Sequence, residues 1–374
     1  MFHRITTLLV ICALLLVGGA TLAQESTVFC GDLSEADCAL ITQASTATAS
    51  LQSGSIDFSL NLNMTNIPDS PAALNISVSG NGSASGMGAF QSLADVAPDA
   101  DLATVIPQLL DALEAFNGDL NLNITIPAEL AEGGPNSVDL NLVWVNGTGY
   151  INFDALQPVT NDPTLTGWGG LEIVALVRAA LEQQPELLDQ LGDMSSMSGA
   201  MGAGGFDPAM IERFSDPEFA GQYMTITRAA DENGLAVFET TLDFGALYND
   251  PAFQELMQQQ MESQMETSGS EMSAEEMEEA LNLANQMFEN ATFTIREAID
   301  PATGYTNSVS GNMVFDMTSM MESAGETTDG PVVFSMDFNL AFSEQDSAAL
   351  VTAPADAELF PYQMLLGMLS PQPQ

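Results

Sequence analysis

The side chains that could do acid–base chemistry in this chain are almost all carboxylates. The sequence has 51 Asp and Glu against five Arg, no Lys and a single His, His3. Nucleophilic triads need a His base and Schiff-base chemistry needs a Lys, so the residue types leave only paired carboxylates, as in glycosidases. Asp154, Asp162 and Glu172 bracket Trp168, an aromatic ring able to stack on a sugar. We predict that the protein is not an enzyme, and a carboxylate-only glycosidase is the third functional hypothesis.

The acidic excess also limits the partners of the protein, whose formal net charge is −46. Nucleic-acid binding depends on Lys and Arg that neutralise phosphates, so no nucleic-acid partner is expected. The same charge repels anionic surfaces. The acidic segments 95–101 and 231–234 lack the spacing of a calcium loop, and no metal or cofactor is predicted. Each Arg is expected to pair with a nearby acid, for example Arg296 with its neighbour Glu297.

Sulfur-containing side chains suggest one covalent link and one apolar surface. Cys30 and Cys38 are predicted to form a disulfide, because residues 1–23 have the pattern of an export signal and an exported chain matures in an oxidising compartment. Met257, Met261 and Met265 stand four residues apart and share one face of a predicted helix. Such a stripe packs in a core, adapts to varied apolar ligands, or binds Cu(I) through thioethers. Packing is the first interpretation, and an adaptable ligand surface is the second.

Residues 1–23 have the pattern of a secretory signal peptide. Arg4 precedes an apolar run over 8–17, and small residues lead to a cleavage site after Ala23. Cleavage would also remove His3. No later apolar segment reaches 18 residues, the usual minimum for a spanning helix. We therefore expect a secreted or periplasmic protein, soluble after cleavage near Ala23.

The elements that must position these residues are long strands and a few helices. Ser34 to Asp37 predicts a helix start and a helix through about residue 50. Apolar residues then alternate with Asn, Ser, Asp and Thr in successive segments, which is typical of strands with one wet face. Asn146-Gly147 predicts a tight hairpin turn. The order indicates an antiparallel α+β fold with about ten strands.

Several segments resemble the exported lipoprotein-carrier superfamily typified by LolA and the mycobacterial LppX and LprG proteins. They include SGSIDFSLNLNM and LNISVSGNGSASG after the first helix, GTGYINFDAL, and the late ATFTIREAIDPATGYTNSVSGNMVFDM. The resemblance implies a large curved antiparallel sheet, a half-open barrel, with helices packed on its concave face and acyl chains bound there. It implies an N-terminal extension over 24–33, a single domain over 34–370, and insertions near 192–208 and 264–290.

The leading hypothesis is non-catalytic binding of an apolar ligand, a neutral lipid or acyl chain, on the concave face. The alternative is a cell-envelope structural or interaction protein with a filled core and no ligand. The residues predicted to line the ligand, from the phase of strands and helices, are Phe58, Leu60, Leu62, Leu122, Ile124, Trp144, Phe253, Met257, Met261 and Met265.

Overall fold

The computed structural model describes residues 28–67, 73–94, 102–127, 135–157, 164–183, 217–258, 288, 291–323, 325, 327–328 and 330–363. Several predicted features lie outside these residues. They are the leader 1–23, the insertion 192–208, Met261 and Met265, and the insertion 264–290 apart from Phe288. The domain boundaries proposed from the sequence stay predictions.

Twelve strands form one sheet in the order β12-β6-β5-β4-β3-β2-β1-β11-β10-β9-β8-β7. The strands are β1 Ser53–Thr65, β2 Leu74–Ser85, β3 Asn117–Thr125, β4 Ser137–Val145, β5 Thr148–Asn152, β6 Trp168–Glu172, β7 Met224–Arg228, β8 Ala236–Asp243, β9 Thr292–Ile299, β10 Thr306–Asp316, β11 Val333–Ser343 and β12 Glu358–Phe360. Neighbouring strands are antiparallel except β12 and β6, which run parallel. Strands β1 to β6 and β7 to β11 are two meanders, and they join where β1 pairs with β11.

The predicted α+β fold, a curved and unclosed antiparallel sheet with helices on its inner face, is confirmed. All ten predicted strands are present, and β6 and β12 are additional. Strand β6 continues to Glu172, and the next helix begins directly after it at Ile173. The strand continues because β6 pairs with β5 as far as the contact between Glu172 and Thr148.

The helices are short and lie between or beside the strands. They are α1 Glu35–Ala49, α2 Gly88–Ala94, α3 Leu102–Ala115, α4 Ile173–Gln183, α5 Pro217–Tyr223, α6 Phe244–Tyr248, α7 over residues 251–258, and α8 Thr318–Ser323. Ser34 caps α1 as predicted, because its Oγ accepts a hydrogen bond from the backbone N–H of Asp37 at 3.2 Å. Within the described ranges, no helix is long and apolar enough to cross a membrane.

The two faces of the sheet differ in chemistry because alternate side chains of a strand point to opposite faces. On the polar face, side-chain amides hydrogen-bond from strand to strand. Asn121 Nδ2 donates to Asn81 Oδ1 at 3.1 Å, and Asn141 Nδ2 donates to Asn121 Oδ1 at 2.9 Å. These bonds link β2, β3 and β4 and leave the opposite face to apolar side chains.

Candidate apolar ligand site

One end of the apolar face is a packed core beneath α1. Ile41 and Ala44 of this helix pack on Ile226, Phe238 and Ile299 of β7, β8 and β9. Phe238 is 1% exposed and Ile299 is fully buried. The disulfide between Cys30 and Cys38, with Cα atoms 5.4 Å apart, connects α1 to the segment before it. This end of the face is filled and offers no room to a ligand.

The other end of the face is filled around β3 and β4. Leu120, Leu122 and Leu140 are buried, and Phe58 and Leu156 pack against them. Helix α3 is fixed over the same end, because Trp144 Nε1 donates to the carbonyl oxygen of Leu113 at 2.7 Å. Trp144 and Ile124 themselves are half-buried.

Helices α5, α6 and α7 build a third cluster from aromatic side chains. Phe219, Tyr223, Leu247 and Phe253 are buried together, and Met257 packs against them. Phe253 is 3% exposed, so this predicted ligand-lining residue lies inside a packed cluster.

A chain of rings connects this third cluster to the sheet. The ring of Tyr248 stacks on Phe288 at 4.3 Å between centroids, and Phe288 meets Phe315 at 5.9 Å. Phe315 in turn stacks on Phe334 at 4.7 Å. The last two residues belong to the apolar faces of β10 and β11, so the cluster borders the middle of the sheet.

Between these clusters, the four middle strands β2, β1, β11 and β10 carry apolar side chains that are only half-buried. We call them the central apolar strip, and its members are Phe58, Leu60, Leu62, Val78, Val309, Phe338 and Leu340. Among the described residues, no apolar side chain of these four strands belongs to the buried core. The strip is therefore the incompletely covered part of the apolar face.

Two phenylalanine rings lie over glycines on either side of the strip. The ring of Phe58 covers Gly80 on β2, and the ring of Phe338 covers Gly311 on β10. A Cβ atom at Gly311 would lie 2.2 Å from Phe338 Cε1, and one at Gly80 would lie 2.8 Å from Phe58 Cζ. Glycine in a strand allows this close approach. The rings thus lie down on the sheet instead of standing above it.

A carboxylate lies at the edge of the strip, on the apolar face. Glu297 of β9 is directly opposite Phe238 on one side and Val309 on the other. Its Oε1 accepts a hydrogen bond from Thr306 Oγ1 at 2.7 Å. Burial raises the pKa of Glu297 above its ordinary value, and the hydrogen bond from Thr306 acts in the opposite direction with a smaller effect. The protonated, neutral form is therefore favoured relative to a carboxyl group in water.

The predicted pairing of Arg296 with Glu297 is wrong. Adjacent strand residues point to opposite faces, and Arg296 instead contacts Glu232 Oε1 at 2.6 Å on the polar side. Arg178 contacts Asp111 at 2.6 Å, and Arg228 forms ion pairs with Asp37 and Asp231. All three described arginines are thus paired with acids of the protein itself.

The predicted lining residues fall into two groups. Phe58, Leu60 and Leu62 lie in the central apolar strip, and Phe58 also packs against the cluster of β3 and β4. Leu122 and Phe253 are buried in packed clusters, and Met257 packs against one of them. Ile124 and Trp144 are half-buried and belong to neither group, and Met261 and Met265 lie outside the described residues. Their role in binding a ligand stays a prediction.

Sequence reasoning missed Glu297 as a member of the apolar face. The signal was present, because Phe293, Ile295, Glu297 and Ile299 have the same parity in β9.

Of the residues in the glycosidase hypothesis, Asp154, Trp168 and Glu172 lie in the described part of the chain, and the hypothesis stays a prediction. Trp168 and Glu172 share the polar face of β6, opposite Asn152 and Thr148. Asp162 lies outside the described residues. No group of three or more His, Cys, Asp or Glu suitable for a metal occurs in the part of the chain that the structure describes.

No family model matches the chain, and no curated protein matches it. Among solved structures, the chain is similar to LprF from Mycobacterium bovis, with 14% identity and a TM-score of 0.28 over 87% of this chain and 100% of that one. It is also similar to a structure described as lipid–protein interactions in lipovitellin, with 8% identity and a TM-score of 0.25. That match covers 82% of this chain and 26% of the lipovitellin chain. Such TM-scores do not assign the chain to a family.

Proposed function

We propose that this protein binds an acyl chain or a neutral lipid along the central apolar strip, without catalysis. The observation that carries the proposal is the difference in burial across one continuous apolar face. Both ends contain a core of buried side chains, such as Phe238 with 1% exposure and Leu140 with 4%. The middle strands between them, with Leu60 at their centre, stay half-buried. An apolar ligand on the strip would remove this remaining apolar surface from water.

The dimensions of the strip suit an extended hydrocarbon chain. Four strands at the usual spacing make it roughly 14 Å wide between the outer strands. The strip residues of β1, from Phe58 to Leu62, cover roughly 14 Å along the strand, and the apolar residues Ile56 and Met64 beyond them extend this row to roughly 27 Å. The flattened rings of Phe58 and Phe338 keep the surface low over this length. Shape and chemistry together favour a long, unbranched ligand.

Charge favours a ligand whose head is not anionic. The formal net charge of −46 repels anions. Arg178, Arg228 and Arg296 are the described cations, and each is held by one or two carboxylates. A carboxylate or phosphate head would have to displace these acids, whereas a neutral head meets no such competition.

The same proposal places the protein outside the cytoplasm. It rests on the signal-peptide pattern over 1–23 and on the disulfide between Cys30 and Cys38, which is typical of oxidising compartments.

The first test is native mass spectrometry of the secreted protein, with organic extraction of co-purifying material. We expect bound acyl species that are lost on denaturation, and uptake of dioleoylglycerol after delipidation. Leu62→Asn should reduce this uptake, since Leu62 lies in the strip. Leu350→Asn makes the same change at a residue that is 75% exposed outside the strip, and it should leave uptake unchanged.

A protein that is pure as isolated and stays free of lipid after this challenge would contradict the proposal. That result would favour the alternative, an envelope structural protein whose core is filled by its own side chains.

A further inference from the structure

We infer that Glu297 is the polar anchor of the ligand, and that the ligand is a neutral lipid whose head carries a free hydroxyl group. The inference rests on the proposed function and adds to it the chemistry of the head and the residue that recognises it.

The register of the sheet puts Glu297 in one continuous row of directly opposed residues. The row runs, from β7 to β4, through Arg228, Phe238, Glu297, Val309, Leu340, Phe58, Gly80, Leu122 and Leu140. Phe238, on one side of Glu297, is buried beneath α1, and Val309, on the other side, belongs to the central apolar strip. Glu297 thus lies where the packed end stops and the strip begins.

Glu297 is unusual in type for this position. It is the one carboxylate on the apolar side of strands β1 to β11 in the described part of the sheet. A charged or polar group in such surroundings costs free energy unless it is hydrogen-bonded. Within the described residues, the carboxyl group receives one hydrogen bond, from Thr306 Oγ1 to Oε1. A carboxyl group offers more sites than this one bond occupies.

The other charged residue of this row, Arg228, does not use the remaining sites. On β7, Arg228 lies two strands away in the row, with its guanidinium 5.0 Å from the centroid of Phe238. It pairs with Asp37 of α1 and with Asp231 of the β7–β8 turn. The directly opposed neighbours on β8 and β10 are Phe238 and Val309, which carry no charge.

A hydroxyl group is the head that complements this carboxyl group in either protonation state. The ionised form accepts a hydrogen bond from a hydroxyl, and the protonated form, which burial favours, both donates to it and accepts from it. A carboxylate or phosphate head would meet a protein of net charge −46. The acyl part of the same molecule would then enter the strip over Val309 and Leu340 and extend along the apolar positions of β1.

The test compares two lipids that differ only in the hydroxyl. Delipidated protein is titrated with dioleoylglycerol and with its acetate ester, in which the hydroxyl is capped. We expect wild-type protein to bind dioleoylglycerol roughly tenfold more tightly, because a hydrogen bond to a group of this kind contributes on the order of one tenfold step. Glu297→Leu should abolish the preference, and Glu297→Gln, which keeps an acceptor and a donor, should retain most of it.

The outcomes separate this inference from the proposed function. Equal affinity for the two lipids in wild-type protein, or a preference that survives in Glu297→Leu, overturns the role of Glu297 while acyl binding stands. A Glu297-dependent preference for oleylamine over dioleoylglycerol overturns the hydroxyl assignment in favour of an ammonium head. No binding of any of these lipids overturns both the inference and the proposed function. Circular dichroism of each variant verifies that it is folded.

Discussion

Serine substitutions at two leucines on the same face of the sheet should affect different properties, lipid affinity in one case and stability in the other. Leu60 lies in the central apolar strip, directly opposite Phe338 and Val78. Leu122 lies in the packed end and is 8% exposed. If the strip is a ligand surface, Leu60→Ser should cost little stability and much affinity, whereas Leu122→Ser should cost mainly stability.

The magnitudes follow from burial. Full burial of a Leu side chain contributes about 1.5–3 kcal/mol, so Leu60, which is only partly exposed, should lose about 1–2 kcal/mol of unfolding free energy as Ser. In a packed site the cavity adds to the loss, and removing a buried Leu typically costs about 2–5 kcal/mol. Leu122→Ser also buries a hydroxyl without a designed partner, which adds to the cost. We expect the two variants of the delipidated protein to differ by at least about 1 kcal/mol.

The assay is urea denaturation of delipidated protein followed by titration with dioleoylglycerol. A loss of apolar contact worth about 1.4 kcal/mol at Leu60 would weaken binding about tenfold. Lipid should also raise the denaturation midpoint of the wild-type protein more than that of Leu60→Ser, since at a given concentration a more tightly bound ligand stabilises the folded state more. If Leu60→Ser is as destabilising as Leu122→Ser, the strip is a filled core and the reasoning from half-burial is refuted.

Three further predictions concern other features of the fold. Gly311→Ala should push the ring of Phe338 up from the sheet and weaken lipid binding severalfold in titration. Gly54→Ala is the control, because its Cβ would have its nearest neighbour at 3.8 Å, and it should leave the affinity unchanged. Equal affinities of the two variants would contradict the flattened-ring arrangement. Replacing both cysteines of the disulfide by Ala should lower the unfolding free energy by about 2–3 kcal/mol, because the unfolded chain regains the conformational entropy that the cross-link removed. An unchanged urea midpoint would refute this. Because the pKa of Glu297 is raised in the folded state, its contribution to stability is fully present below its ordinary value of 4.5 and is lost as the pH rises through the folded pKa. Glu297→Gln should therefore gain stability relative to wild type above about pH 4.5, and parallel pH profiles of the two proteins would refute the shift.

The sequence predicted what local patterns determine. Alternation of apolar and polar residues identified ten of the twelve strands, because a period of two is the direct consequence of a pleated backbone. The Asn146-Gly147 turn was recognisable because both residues adopt positive φ, 49° and 73°, which Asn and Gly tolerate best. The start of α1 was recognisable from Ser34 and its cap. Each of these features depends on a few adjacent residues.

Features that depend on distant pairing could not be predicted. Strand β12 has only three residues and forms through parallel contacts with β6, which lies almost 200 positions earlier in the numbering. The partner of Arg296 was assigned by adjacency, although the pleat separates it from Glu297. The local sequence does not distinguish half-buried Leu60 from buried Leu122 either. Leu60 lies between a Ser and an Asn, and Leu122 lies between two Asn residues. It depends on which helices cover which strands.

The position of the strip also gives a ligand a role in holding the fold together. The strip lies over the pairing of β1 with β11, where Ser55 meets Ser343 and the two meanders join. This junction closes the longest loop in the sheet, and loop closure of that length is entropically costly before its contacts form. A ligand that contacts both Leu60 on β1 and Leu340 on β11 would bind only the joined form and stabilise it by mass action. The same strands that are least covered by the protein's own helices are therefore those whose pairing gains most from an apolar ligand.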